Sequence, residues 1–275
     1  PGLHRVAYDG TVTQAYALDD AMVQGRRSGE VVITSTTRLG STATTVEVWR
    51  GDERLTEVGS LAETPVISPR VNLMRGGERD LDIAVLFPTG HVPGSARLPV
   101  IMSPYGGPHA RLVVAAGLTF GTDQWLADQG YVVVVADGRG TPGRGPAWDR
   151  AVRGDLATPA LEDQVAALEA AAAAYPDDVD TTRVGIRGWS FGGYLSALAV
   201  LRRPDVFHAA VAGAPVTEWR LYDTGYTERY LGDPRTQPDV YDANSLLPRA
   251  QQLSRPLLLI HGVDDDNVFV SNTAQ

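Results

Sequence analysis

Residues 183–202 read Arg-Val-Gly-Ile-Arg-Gly-Trp-Ser-Phe-Gly-Gly-Tyr-Leu-Ser-Ala-Leu-Ala-Val-Leu-Arg, and this stretch decides the fold. Residues 183–187 read as a strand, and the helix that follows carries Leu195, Leu198 and Leu201 on one side. Between them, Gly188-Trp189-Ser190-Phe191-Gly192 fits the pattern Gly-x-Ser-x-Gly. That pattern makes a sharp strand-to-helix turn and lifts a serine hydroxyl above a sheet. Glycine is needed at both flanks because a Cβ there would strike the neighbouring strand or helix. The five residues alone are a short pattern; the strand before and the helix after supply the context it requires.

Working outward, further strands are expected at 98–103, 131–136, 208–211 and 256–260, and further helices at 122–129 and 159–174. Val132, Val133, Val134 and Val135 are apolar at every position, as in a strand covered on both faces of a parallel sheet. The helix over 159–174 has Thr158 as its expected N-cap and Pro159 in its first turn, with Glu162 and Asp163 near its positive end. Its apolar stripe is Leu161, Val165 and Leu168. Strands alternating with helices predict an α/β domain with a largely parallel sheet and helices on both faces, spanning 63–275. Residues 1–62 differ: strands at 31–37, 44–50 and 54–58, separated by glycine-containing turns, mark a β-rich segment. It is too short to close a sandwich or barrel, whereas four strands suffice for one blade of a β-propeller.

Composition narrows the function classes. With 24 Lys and Arg against 33 Asp and Glu, the formal charge is -9, which argues against a nucleic-acid or anionic-membrane surface. No cysteine is present, so disulfides, thiolate metal sites and a cysteine nucleophile are excluded. The same absence suits either redox compartment and leaves localisation open, tilting only toward the cytoplasm. No apolar run approaches the roughly 20 residues of a membrane span. Pro1-Gly2-Leu3 lacks an initiator Met and the layout of a signal peptide, and reads as the interior of a longer chain.

A serine hydroxyl becomes a useful nucleophile when a base takes its proton and an acid orients that base. On this kind of scaffold the order along the chain is Ser, then Asp or Glu, then His. The strand at 256–260 runs into His261-Gly262-Val263-Asp264-Asp265-Asp266-Asn267, so three consecutive carboxylates are candidates and spacing does not choose among them. The five histidines, His4, His91, His109, His208 and His261, all precede these acids. His261 at a strand end reads as structural, and His109 after a Gly-Gly-Pro turn marks a loop. The expectation is that the base lies beyond Gln275 and that the fold is incomplete at its C-terminal end.

Several segments together resemble the prolyl oligopeptidase family, in its dipeptidyl peptidase IV branch. They are Gly188-Trp189-Ser190-Phe191-Gly192-Gly193-Tyr194, the stretch from Ala214-Pro215-Val216 to Glu228-Arg229-Tyr230, and the acid-bearing loop from His261-Gly262 to Asn267-Val268. Tyr105-Gly106-Gly107-Pro108 and Asp137-Gly138-Arg139-Gly140 match two further loops. The resemblance covers residues 65–275; the first 62 fit the end of that family's propeller in character only. It implies the α/β-hydrolase fold, Ser190 as nucleophile and Asp265 as the acid. It further implies an oxyanion hole from the Tyr105 hydroxyl and the Phe191 N–H. Val216, Trp219, Tyr222, Tyr226 and Val268 would wall the pocket for the residue before the scissile bond, with Asn267 donating to a substrate carbonyl. The implied partner is a peptide, cleaved after proline or alanine with release of N-terminal dipeptides. No metal or organic cofactor is implied, and a homodimer of the full-length form is left open. Acylaminoacyl peptidase, oligopeptidase and carboxylesterase are the alternatives on the same fold. A non-catalytic interaction module is the alternative outside enzymes.

Overall fold

A computed structural model describes residues 2–16, 18 and 20–275. The chain divides into two compact units, Pro1–Val71 with Val114–Asp128, and Asn72–Val113 with Gln129–Gln275. In the first unit β1 (Leu3–Val6) and β2 (Val12–Tyr16) form an antiparallel pair. Then β3 (Ala21–Ser28), β4 (Val31–Arg38), β5 (Thr44–Arg50) and β6 (Glu53–Val58) make a four-stranded antiparallel meander in chain order. Gly29 and Gly51 take positive φ (58° and 61°) at the tight turns between β3 and β4 and between β5 and β6, where a side chain would be strained. The Trp49 indole N–H donates to Thr34 Oγ1 at 3.1 Å and so ties β5 to β4. The sequence reading found β4 to β6. It passed over β3, whose Gln-Gly-Arg-Arg-Ser half lacks β-branched residues. The short helix α1 (Gly121–Ala127) belongs to this unit.

The second unit is built on a seven-stranded sheet. Its strands are β7 (Val71–Gly76), β8 (Leu81–Leu86), β9 (Leu98–Met102), β10 (Val132–Asp137), β11 (Val179–Trp189), β12 (Ala209–Gly213) and β13 (Leu257–Ile260). They lie in the order β13-β12-β11-β9-β10-β8-β7. From β10 through β9, β11 and β12 to β13 every pairing is parallel, while β8 runs antiparallel to β10. The sheet is therefore mixed but mostly parallel, with helices packed on it: the α/β fold expected, preceded by a β-rich segment. All six residues of β8 and all six of β10 are buried, as the unbroken valine run required.

The helices of this unit are α2 (Pro146–Arg150), α3 (Thr158–Ala174), α4 (Phe191–Arg202), α5 (Thr224–Leu231), α6 (Pro238–Asn244) and α7 (Ser271–Ala274). Helix α3 packs on β8, β10 and β11 and buries Leu161, Val165 and Leu168; α4 packs on β11 and β12 and buries Leu195, Leu198 and Leu201.

The start of α3 corrects the sequence reading. Thr158 is its first helical residue and not its N-cap. Asp155 Oδ1 accepts from the N–H of Ala157 and of Thr158 at 3.0 and 2.8 Å, so a carboxylate three residues upstream does the capping. Glu162 and Asp163 likewise lie past the first turn and bind the Arg139 guanidinium at 2.8 and 2.9 Å. They are partners of the loop that carries Arg139 and not of the helix dipole.

Candidate active site

Ser190 stands between the end of β11 and the start of α4 with φ 58° and ψ −118°, a backbone conformation that non-glycine residues rarely adopt. It is held there from both sides: its N–H donates to Gly213 O on β12, and its carbonyl accepts from Tyr194 N in the first turn of α4, both at 2.9 Å. The flanking glycines carry out the packing role assigned to them. A Cβ on Gly188 would meet the backbone of Gly192, and one on Gly192 would meet the Pro104 carbonyl oxygen. That close approach brings the loop after β9, and Tyr105 on it, against the elbow. The two rings of Tyr105 and Phe191 lie 5.9 Å apart. Tyr105 and Ser190 are close enough for the serine hydroxyl to influence the phenol.

Burial pushes the Tyr105 hydroxyl above the usual phenol range, with Tyr222 adding to the rise and the nearby Ser190 hydroxyl opposing it. A raised phenol stays protonated, and so remains a hydrogen-bond donor, through neutral and mildly alkaline pH. The second candidate donor, the Phe191 N–H, occupies the first position of α4. N–H groups in a first turn have no acceptor within their own helix. Both candidate donors thus belong to residues packed at the elbow, Phe191 next to Ser190 in the chain and Tyr105 on the loop after β9.

The three acids after β13 differ in their anchoring. Asp265 Oδ1 accepts from the backbone N–H of Asn267 (3.0 Å) and Val268 (2.9 Å), while Asp264 and Asp266 are exposed. The other Asp265 oxygen lies 3.6 Å from His261 Nε2. His261 itself is spoken for at both ring nitrogens: Nδ1 with Thr273 Oγ1 at 2.7 Å and Nε2 with the Val268 carbonyl at 2.6 Å. Since a carbonyl only accepts, Nε2 carries the proton and Nδ1 accepts from the Thr273 hydroxyl. His261 therefore ties the acid-bearing loop to α7. His109 takes a left-handed conformation (φ 81°) and packs its ring against Tyr226 and Tyr230, with centroids 4.9 and 6.4 Å away.

Around the serine the aromatic residues form one connected cluster. Trp219 is fully buried and stacks on Tyr226 (6.0 Å, 10°), and Tyr222 meets both edge-on. Trp219 also lies 5.9 Å from Phe191, which joins this cluster to the elbow. Val216 and Val268 are buried and pack in the same core. The Tyr222 hydroxyl donates to Asn267 Oδ1 at 3.2 Å, which leaves the Asn267 amide NH₂ to donate elsewhere. Burial, reinforced by the neighbouring Tyr105, Tyr230 and Tyr222, drives the Tyr226 hydroxyl far up, and that buried hydroxyl has no hydrogen-bond partner among the described residues. The cluster thus gathers Tyr105, Ser190, Phe191, Val216, Trp219, Tyr222, Tyr226, Asn267 and Val268 about one elbow.

Three supporting residues escaped the sequence reading. Asn272 on α7 accepts from the N–H of Thr217 (3.1 Å) and of Glu218 (3.3 Å), and its carbonyl accepts from the Thr217 hydroxyl. It thereby fixes the start of the aromatic segment. Asp223 caps α5 by accepting from Tyr226 N at 2.8 Å; an Asp before a helix is a legible signal. Asn244, fully buried, accepts from Leu156 N and Ala157 N, and its carbonyl accepts from the Tyr194 hydroxyl at 2.9 Å. Nothing in local sequence announces that last role. Among the described residues no group of three His, Cys, Asp or Glu is gathered for a metal, and no helix is long and apolar enough to cross a membrane.

Comparison with known proteins bears on the same region. The family model described as the prolyl oligopeptidase family matches residues 119–275. Dipeptidyl peptidase 8 of Mus musculus and of Homo sapiens are each 43% identical to this chain over 187 residues, covering 66% of it and 21% of the relative. The chain thus spans about a fifth of the length of these curated relatives. Among solved structures, dipeptidyl peptidase 4 of Porphyromonas gingivalis superposes with a TM-score of 0.85 at 30% identity. That match covers 98% of this chain and 39% of the other.

Proposed function

The chain belongs to the prolyl oligopeptidase family, and from that premise we propose that it forms part of a serine peptidase that releases N-terminal dipeptides ending in proline or alanine. The observation that carries this reading is the strained Ser190 at the elbow, with the Tyr105 ring 5.9 Å from Phe191 and a buried aromatic cluster beside them. Ser190 Oγ attacks the carbonyl carbon of the scissile bond while a base takes its proton. The carbonyl oxygen becomes an oxyanion, stabilised by the Tyr105 O–H and the Phe191 N–H, because donors aimed at developing charge gain most in the transition state. Collapse of that intermediate expels the amine, which takes the proton back from the base, and leaves an acyl-enzyme. Water hydrolyses the acyl-enzyme by the same steps in reverse order.

Asp265 orients the base; its two backbone hydrogen bonds support this choice over Asp264 and Asp266. The base is a histidine of the longer protein, since His261 has both nitrogens engaged and His109 is packed among tyrosines. Trp219, Tyr222, Tyr226, Val216 and Val268 receive the residue before the scissile bond. Flat aromatic walls suit a proline ring, which offers apolar surface and no N–H. Asn267 donates to a substrate carbonyl. In this reading residues 1–62 are the end of a β-propeller, one blade of which the β3–β6 meander would supply, and 63–275 are the peptidase domain.

The test uses the longest reading frame containing this sequence. Gly-Pro and Gly-Ala chromogenic substrates should be hydrolysed with a free amino terminus and spared when that terminus is acetylated. Preference for the acetylated forms would make the protein an acylaminoacyl peptidase instead. Turnover of nitrophenyl esters alone would make it an esterase.

A further inference from the structure

Next to the aromatic cluster lies a cleft of about 830 Å³ whose lining includes Arg150, Arg153, Arg229, Asp149, His109 and Tyr230. Its charge is opposite to that of the molecule. Three guanidinium groups face one carboxylate there, on a chain whose formal charge is -9. The arginines come from different segments: Arg150 ends α2, Arg153 sits in the turn after it, and Arg229 lies in the last turn of α5. The Gly154 N–H donates to the Tyr230 carbonyl at 2.9 Å and holds that turn against α5. Cations are favoured at helix C-termini, which accounts for Arg150 and Arg229 but not for Arg153 or for their convergence on one cleft.

In the same unit several exposed arginines are paired: Arg75 with Asp80, Arg183 with Asp180, Arg203 with Asp205 and Arg235 with Asp233. Arg150, Arg153 and Arg229 make no ion pair or side-chain hydrogen bond among the described residues. They are exposed, so their donors are free. His109 and Tyr230 form the wall shared with the aromatic cluster, since both rings touch Tyr226. A group bound in the cleft is therefore separated from the aromatic seat by one layer of rings.

We propose that this cleft is a carboxylate-binding subsite, which takes an acidic side chain or the free C-terminal carboxylate of a peptide whose neighbouring residue occupies the aromatic pocket. Planar guanidinium groups match a carboxylate with two parallel hydrogen bonds, and the three arginines of the lining are not matched by its single carboxylate, Asp149. The proposal rests on the peptidase reading for the identity of the ligand, but not for the existence of the site.

The experiment measures binding rather than turnover. Ser190→Ala protein, in the longest frame containing this sequence, is titrated calorimetrically with four peptides that begin Gly-Pro. One has an internal Glu, one an internal Gln, and each is made with a C-terminal acid and with a C-terminal amide. At least one acid should bind roughly tenfold to a hundredfold tighter than its neutral counterpart, the range expected for charge-assisted hydrogen bonds. Which pair shows the difference identifies the source of the carboxylate. The ratio should fall toward one in Arg150→Gln/Arg153→Gln, and should shrink with added salt in the unsubstituted cleft, since screening weakens exposed charges. Equal affinities across all four peptides, or a ratio that survives the double substitution, would overturn the proposal. Loss of Gly-Pro hydrolysis in the protein with Ser190 intact would overturn the peptidase reading instead. An acid-to-amide ratio that persists in that case would still support the subsite.

Discussion

Replacing the Ser190 hydroxyl by hydrogen removes the nucleophile and little else, so Ser190→Ala should lower kcat by roughly 10⁶ with the fold intact. Labelling by a fluorophosphonate probe should vanish with it; labelling that persists at another serine would displace Ser190 from its role. Tyr105→Phe deletes one oxyanion donor without changing shape. It should cost about 10²–10³ in kcat with little change in KM, and an unchanged kcat would mean that Tyr105 only packs. Because burial raises the Tyr105 hydroxyl, its donor persists as pH rises past the ordinary phenol value. The alkaline limb of the kcat profile should then be the same in Tyr105→Phe as in the parent, offset downward but not shifted. At Tyr226, truncation to Ala should cost more for Gly-Pro than for Gly-Ala substrates, since proline fills more apolar surface. Equal losses would put Tyr226 outside the pocket.

At the scale of elements, loops are held to helices by buried carboxylates. Asp163 on α3 is fully buried and receives both the Arg139 backbone N–H (2.6 Å) and its guanidinium. Removing that charge leaves a part-buried guanidinium without its main partner, so Asp163→Ala should destabilise the protein by about 3 kcal/mol in urea unfolding. Exposed Glu162 contacts the same guanidinium, and Glu162→Ala should cost under about 1 kcal/mol. Periodicity made the elements legible: α4 matches its expected span, and β9 and β10 match to within a residue at either end. Where partners come from far along the chain, local pattern carried no trace of them. The holding of Leu156 and Ala157, just before α3, by Asn244 is such a case, and so is the pinning of Thr217 by Asn272. The candidate acid shows the same limit in another form. Three adjacent aspartates are equivalent in sequence, and only the turn geometry that gives Asp265 two backbone donors distinguishes them.

For the molecule as a whole, burial is uneven, and stability should follow it. β8, β10 and α4 are buried almost throughout, whereas every residue of β6 is exposed. Hydrogen exchange should therefore be slowest over 81–86, 132–137 and 191–202 and fastest over 53–58; uniform protection would contradict this. Acid should probe the surface pairs. Asp180 is lowered to about 2, first by the Thr182 hydroxyl and then by Arg183. A depressed carboxylate contributes stability that is complete above its unfolded value and is lost as pH falls through the folded one. The stability difference between Asp180→Asn and the parent should then be constant above about pH 5, shrink as pH falls through about 4 to 2, and vanish below about pH 2, as read from unfolding midpoints. The elbow carries a different kind of consequence. Holding a serine at φ 58° costs the whole domain about 1–3 kcal/mol, and glycine at that position would relieve it at a smaller entropic cost. Ser190→Gly should therefore unfold at a higher urea concentration than Ser190→Ala. A lineage drifting toward stability alone, with no demand for chemistry, would be expected to lose its serine to glycine at this position.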